Sequence, residues 1–153
     1  MRKTALGLLL FCLASSCFGQ EQEPLCPRHI ETPLYPQIAR AARLSGKVTL
    51  IVTIDKDGAV RNVEAKTGQS VPQAHPLLKK YAAENMQHWT FAKPPSAPYV
   101  QDFVYDYELD PSLPLEGGKK STTAIIKVSF DLPDRVTILA NMVAVQTSES
   151  KQN

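Results

Sequence analysis

The segment Val48–Lys66 constrains the fold more than any other part of the chain. In VTLIVTID, Val48, Leu50, Val52 and Ile54 alternate with Thr49, Ile51 and Thr53, the period of a strand with one buried face. Asp55-Lys56-Asp57-Gly58 then interrupts the pattern, and AVRNVEAK resumes it. Asp and Gly accept the backbone of a tight reversal, so 48–66 reads as an antiparallel β-hairpin closed by Asp57 and Gly58. An isolated two-stranded hairpin is marginal in water. The rest of the chain must therefore supply a cover and further strands.

The cover lies downstream. From His75 to Trp89, Leu78, Ala82, Asn85 or Met86, and Trp89 recur at three and four residues, while Lys79, Lys80, Glu84 and Gln87 lie mostly off that stripe. This predicts an amphipathic helix over 75–90, with Leu78, Ala82 and Trp89 on the sheet. Trp89 and Phe91 fasten its end, and Pro94-Pro95 prevent continuation. Upstream, Pro36 opens a short helix that Gly46 ends. Tyr99 to Leu109 alternates again. Tyr99, Gln101, Phe103, Tyr105, Tyr107 and Leu109 share one face; Val100, Asp102, Val104, Asp106 and Glu108 share the other. A last pair of strands is expected over 123–130 and 135–140. The fold class is α+β: a two-layer sandwich, an antiparallel sheet of three to five strands with one main helix and a short N-terminal helix.

Residues 1–19 carry Arg2-Lys3 and then ALGLLLFCLASSCF, too short to cross roughly 30 Å of hydrocarbon as a helix. They read as a signal peptide cut after Gly19 or Ser16. Ala14 stands where a lipoprotein box would place Leu before Cys17, so a lipid anchor is the minor alternative. Under the later cut Cys26 is the single cysteine, which excludes an internal disulfide. Residues 20–35 form an extended arm, 36–142 the domain with its C-terminal hairpin at 122–142, and 143–153 a flexible tail.

Charge excludes several functions. The formal +2 includes Arg2 and Lys3; without residues 1–19 the chain holds fifteen basic and fifteen acidic side chains. That balance removes support for nucleic-acid or membrane coating. The charges are nevertheless polarised: residues 28–93 hold ten Lys or Arg against five acids, and 98–116 hold five acids and no base. Arg40, Arg43 and Lys47 would form a small anion-facing patch if the first helix gathers them. Asp55 and Asp57 are followed at once by Gly58, and Lys66 holds the position where a calcium loop needs Glu. No HExxH, CxxC, G-x-S-x-G or phosphate-loop pattern occurs. Neither an enzyme, a cofactor nor a small-molecule substrate is expected, and no metal site.

The ordered set Tyr35-Pro36, Ala39, Ala42-Arg43, Ser45-Gly46-Lys47-Val48, VTIDKDGAVRNV, Trp89-Thr90-Phe91 and Pro94 resembles the carboxy-terminal domain of TonB-type proteins. FVYDY at 103–107 and VSFDLPDRV at 128–136 resemble a stand-alone secreted branch with an appended hairpin. The resemblance implies a helix packed on an antiparallel sheet, in the periplasm of a diderm bacterium. It further implies capture of an extended peptide or envelope protein by strand addition. An envelope assembly component without peptide capture is the alternative, and energy transduction would require residues 1–19 to remain as an anchor. An open sheet edge offers unpaired N–H and C=O groups. If strand 99–109 is that edge, Asp102, Asp106 and Glu108 favour a basic partner. If the appended hairpin covers it, Ile125, Lys127 and Ser129 become the specificity positions.

Overall fold

The computed structural model describes residues 23–68, 74–117 and 123–144. The expected signal peptide with Cys12 and Cys17, and most of the expected tail, lie outside the described residues. The elements run in the order β1 (Pro27–His29), α1 (Gln37–Ala41), β2 (Gly46–Ile54), β3 (Val60–Ala65), α2 (Pro76–Met86), β4 (Thr90–Phe91), β5 (Tyr99–Leu109), β6 (Ile126–Asp131) and β7 (Arg135–Ala140). Five strands form one sheet in the order β3-β2-β5-β7-β6, and β1 pairs with β4 in a separate two-stranded ribbon.

The period-two residues do what their spacing requires. Val48, Leu50, Val52 and Ile54 of β2 are buried, as are Tyr99, Phe103, Tyr105 and Tyr107 of β5. The two strands pair antiparallel from Gly46↔Tyr107 to Ile54↔Tyr99, which sets both apolar rows on one face. Helix α2 lays Leu78, Ala82 and Met86 on that face, and all three are fully buried. The helix is shorter than the 75–90 expected: it ends at Met86, with Gln87 as its C-cap. At its start the His75 imidazole Nδ1 accepts the Leu77 N–H at 3.2 Å.

Trp89 follows the helix and occupies the centre of the core at 1 % exposure. Its ring meets Phe103 edge-on with centroids 5.9 Å apart, and Phe91, Tyr105 and Phe130 surround it. The indole N–H donates to the Glu31 carbonyl and Asn85 Oδ1, each at 3.1 Å. A buried indole thus finds its acceptors in the arm and in the preceding helix.

The β2–β3 reversal is held by Asp55 rather than Asp57. Asp55 Oδ1 accepts the N–H of Asp57 at 2.8 Å and of Ala59 at 2.9 Å, and Oδ2 meets Arg61 Nε at 2.7 Å. These bonds hold the Asp55 carboxyl below its ordinary range, the Ala59 amide contributing most. Gly58 takes the positive φ of +87°; Asp57 does not. Its carbonyl accepts the Phe91 N–H at 2.8 Å, tying the turn to β4.

Within residues 23–35 only Pro27–His29 form a strand, and the segment is attached to the domain. Leu25 is buried, its N–H donating to Gln101 Oε1 at 2.7 Å. The Tyr99 hydroxyl donates to the Glu23 carbonyl. Tyr35 is buried edge-on against Tyr107, with centroids 5.2 Å apart. Cys26 is an exposed free thiol.

One of the four pairings within the five-stranded sheet is parallel. Strand β7 runs parallel to β5 from Val104↔Arg135 to Leu109↔Ala140, and β6 closes antiparallel on its far side. Val136, Ile138 and Ala140 are fully buried, so β7 is a core strand.

Candidate functional site

Strand addition requires an outermost strand, and in this sheet those strands are β3 and β6. Strand β5 lies inside. It is bonded to β2 over Tyr99–Tyr107 and to β7 over Val104–Leu109. The appended hairpin therefore covers the stretch that carries Asp106 and Glu108.

The three acidic candidates point away from the helices, on the uncovered face of the sheet. Asp102 stands opposite Ile51, and its Oδ2 receives Lys66 Nζ at 2.5 Å. Asp106 stands opposite Lys47 and pairs with its Nζ at 3.2 Å. Only 8 % of Asp106 is exposed, because β2 and β7 flank it on both sides. Glu108 is exposed opposite Leu139. The charge polarity along the sequence is thus largely cancelled across the strands: lysines of the basic half meet acids of the acidic half. Asp102 and Asp106 are committed within the chain, which removes the basis for a basic partner at β5.

The expected anion patch does not form either. Arg40 is buried at 3 % exposure. Its Nη1 lies 2.5 Å from Glu116 Oε2 and 3.1 Å from Asn141 Oδ1, and its Nε donates to the Tyr35 carbonyl at 3.3 Å. A guanidinium has enough donors for three directions at once, so it can be buried where a single amine could not. Helix α1 is thereby clamped to the segment on either side of the β6–β7 hairpin. The Tyr35 phenol beside it is pushed up to about 12, burial outweighing the Arg40 cation.

Asn141, fully buried, was missed in the sequence. Its Oδ1 accepts the Ile125 N–H at 3.0 Å, its Nδ2 donates to the Pro114 carbonyl at 2.7 Å, and its backbone N–H donates to the Ile125 carbonyl at 3.0 Å. The only signal was a polar residue directly after a strand of alternating apolar residues.

These bonds place Ile125, Lys127 and Ser129. Ile125 is half-buried and anchored to Asn141, just before β6; Lys127 and Ser129 are exposed on the uncovered face. Because Ile125 turns its backbone groups toward β7, so do Lys127, Ser129 and Asp131 by alternation. The N–H and C=O groups of Ile126, Val128 and Phe130 then face the open side of β6, where no other described strand pairs. Phe130 and the adjoining Leu132 are 39 % and 46 % exposed. Strand β3 is the other edge, with Arg61, Asn62 and Glu64 exposed.

A separate groove of about 300 Å³ lies between the arm and α2, lined by Glu31, Leu34, Tyr81, Glu84 and His88. Its floor is Asn85, whose Oδ1 accepts the Tyr105 hydroxyl at 2.8 Å.

The fold and these edges can be set beside known proteins. The family model for the Gram-negative bacterial TonB protein C-terminal matches residues 31–108, just over half of the chain. The solution NMR structure of Pseudomonas aeruginosa TonB CTD is similar at 18 % identity and a TM-score of 0.40, over 57 % of this chain and 88 % of that one. No curated protein matches. The match begins in the arm and ends within β5, so β6 and β7 lie beyond it. On the strength of the family match, this chain belongs to the TonB C-terminal family, whose domains are non-enzymatic interaction modules of the cell envelope.

Proposed function

We propose that the chain captures an extended segment of another envelope protein by strand addition along β6. The observation that carries this is the backbone rail of Ile126, Val128 and Phe130, which no strand among the described residues pairs, on an outermost strand. Such a rail supplies affinity through main-chain hydrogen bonds, and alternate side chains supply selection. Lys127 and Ser129 are the selecting positions on the uncovered face. Phe130 and Leu132 offer apolar contact at the end of the rail. The Asn141 and Arg40 bonds hold the rail in register before a ligand arrives, which lowers the ordering cost of binding. Export through residues 1–19 to the periplasm accords with this role.

Proline scanning tests it. Val128→Pro removes an N–H that points outward and leaves the β7 ladder intact, the situation in which an edge strand accepts proline. Envelope proteins are captured on the purified wild-type chain, and the recovered peptide is mapped by amide shifts. Shifts along Ile126–Phe130, with binding lost in Val128→Pro, support the reading. Shifts confined to the α2 face, or full binding by a folded Val128→Pro variant, refute it.

A further inference from the structure

The β6 edge has a second property, visible in its sequence. Ile126-Lys127-Val128-Ser129-Phe130-Asp131-Leu132 is self-complementary about Ser129: Ile answers Leu, Lys answers Asp, and Val answers Phe. We infer that β6 pairs antiparallel with β6 of a second copy of this chain about a two-fold axis at Ser129, joining two five-stranded sheets into one.

Residues whose N–H and C=O groups face outward must meet outward-facing residues of the partner strand. With Ser129 opposite itself, Val128 meets Phe130 and Phe130 meets Val128, both outward, so each of these pairs can exchange two N–H···O bonds. The same register sets Lys127 opposite Asp131 twice, at the closer-spaced positions that flank those bonds on either side. Among the described residues neither Lys127 nor Asp131 forms a salt bridge, in contrast to Lys47, Lys66, Asp102 and Asp106; the Lys127 cation acts at longer range on Asp110. Lys127 and Asp131 are both exposed, on the uncovered face.

On the other face Ile126, Val128, Phe130 and Leu132 of the two copies would form one apolar strip. It covers Phe130 and Leu132, which stand 39 % and 46 % exposed on a single copy. Like any two-fold contact it is closed: the same patch is used on both subunits and no free β6 edge remains to propagate a fibre. The interface is one strand wide, below the size of a standard stable complex, so association is weak and reversible. This inference rests on the reading of β6 as the docking edge and names the occupant of that edge when no other strand fills it.

Charge reversal tests the register. Sedimentation of the purified chain should show mass approaching twice the monomer as concentration rises. Lys127→Asp places four acids in the interface and Asp131→Lys places four bases, so each variant alone should weaken the dimer by about tenfold or more. The double variant Lys127→Asp/Asp131→Lys should regain it, and an equimolar mixture of the two single variants should form a heterodimer. Circular dichroism matching the wild type verifies that each variant is folded. A monomer up to about 1 mM, or a dimer indifferent to all three variants, overturns the inference. A monomeric chain that still binds a recovered envelope strand along β6 overturns the dimer alone. A charge-dependent dimer with which no captured strand competes overturns the capture reading and leaves the dimer standing.

Discussion

Gly58→Ala offers the sharpest test of how the hairpin is joined to the rest of the fold. A Cβ at Gly58 would lie 2.1 Å from the Phe91 carbonyl oxygen and 3.0 Å from its carbon. These are backbone atoms of β4, so no side-chain rotation relieves the overlap. Gly58 also sits at φ +87°, where a Cβ costs about 1–2 kcal/mol without any neighbour. Overpacking of this kind adds about 1–3 kcal/mol. If β4 moves away, the 2.8 Å bond from Phe91 N–H to the Gly58 carbonyl is strained as well, worth about 1 kcal/mol. The total is about 3–6 kcal/mol, a large share of the roughly 5–15 kcal/mol that holds a domain folded. Gly46→Ala is the matched control. Gly46 has φ +138°, and nothing lies within 4 Å of its added Cβ, so only the dihedral penalty of about 1–2 kcal/mol applies. Urea unfolding followed by the fluorescence of Trp89, the one tryptophan, reads both variants. Equal losses at the two positions would refute the steric argument. A loss at Gly58 larger by about 2 kcal/mol or more supports it.

Trp89→Ala empties the centre of the aromatic cluster and should cost about 3–5 kcal/mol; unfolding like the wild type in circular dichroism would contradict the packing. Arg40→Ala leaves Glu116 partly buried without its cation and should lose about 3 kcal/mol in urea. Arg40→Met with Glu116→Leu should recover most of that loss. Asp55 has a lowered folded pKa, so its stabilisation is present above its unfolded value near 3.8 and fades as pH falls through the folded value. In Asp55→Asn the stability measured from pH 7 downward should therefore lose this acid-dependent part. Cys26→Ser should leave the melting temperature nearly unchanged, since the thiol is exposed; a dimer on non-reducing electrophoresis that disappears in the variant would show an intermolecular disulfide.

Alternation and turn chemistry are local properties, and they were legible residue by residue. The faces of β2 and β5 follow from Val48–Ile54 and Tyr99–Leu109, because adjacent side chains on a strand must point to opposite sides. Gly58 followed from the Asp-Gly turn, and the helix under Leu78 and Ala82 from its three-and-four spacing. Strand order was not local. Any of the alternating segments could have been outermost, and it was the burial of Val136, Ile138 and Ala140 that placed β7 beside β5 and moved the open edge to β6. The fate of the charges was decided in the same way. Arg40 looked like a surface cation until Glu116 and Asn141, distant in sequence, gathered around it. Asp102 and Asp106 looked like a free acidic row until β2–β5 pairing and the end of β3 brought Lys47 and Lys66 against them. Alternation along a strand assigns each side chain its face; which strand lies beside which is settled by packing, because that choice depends on the apolar surface each arrangement removes from water.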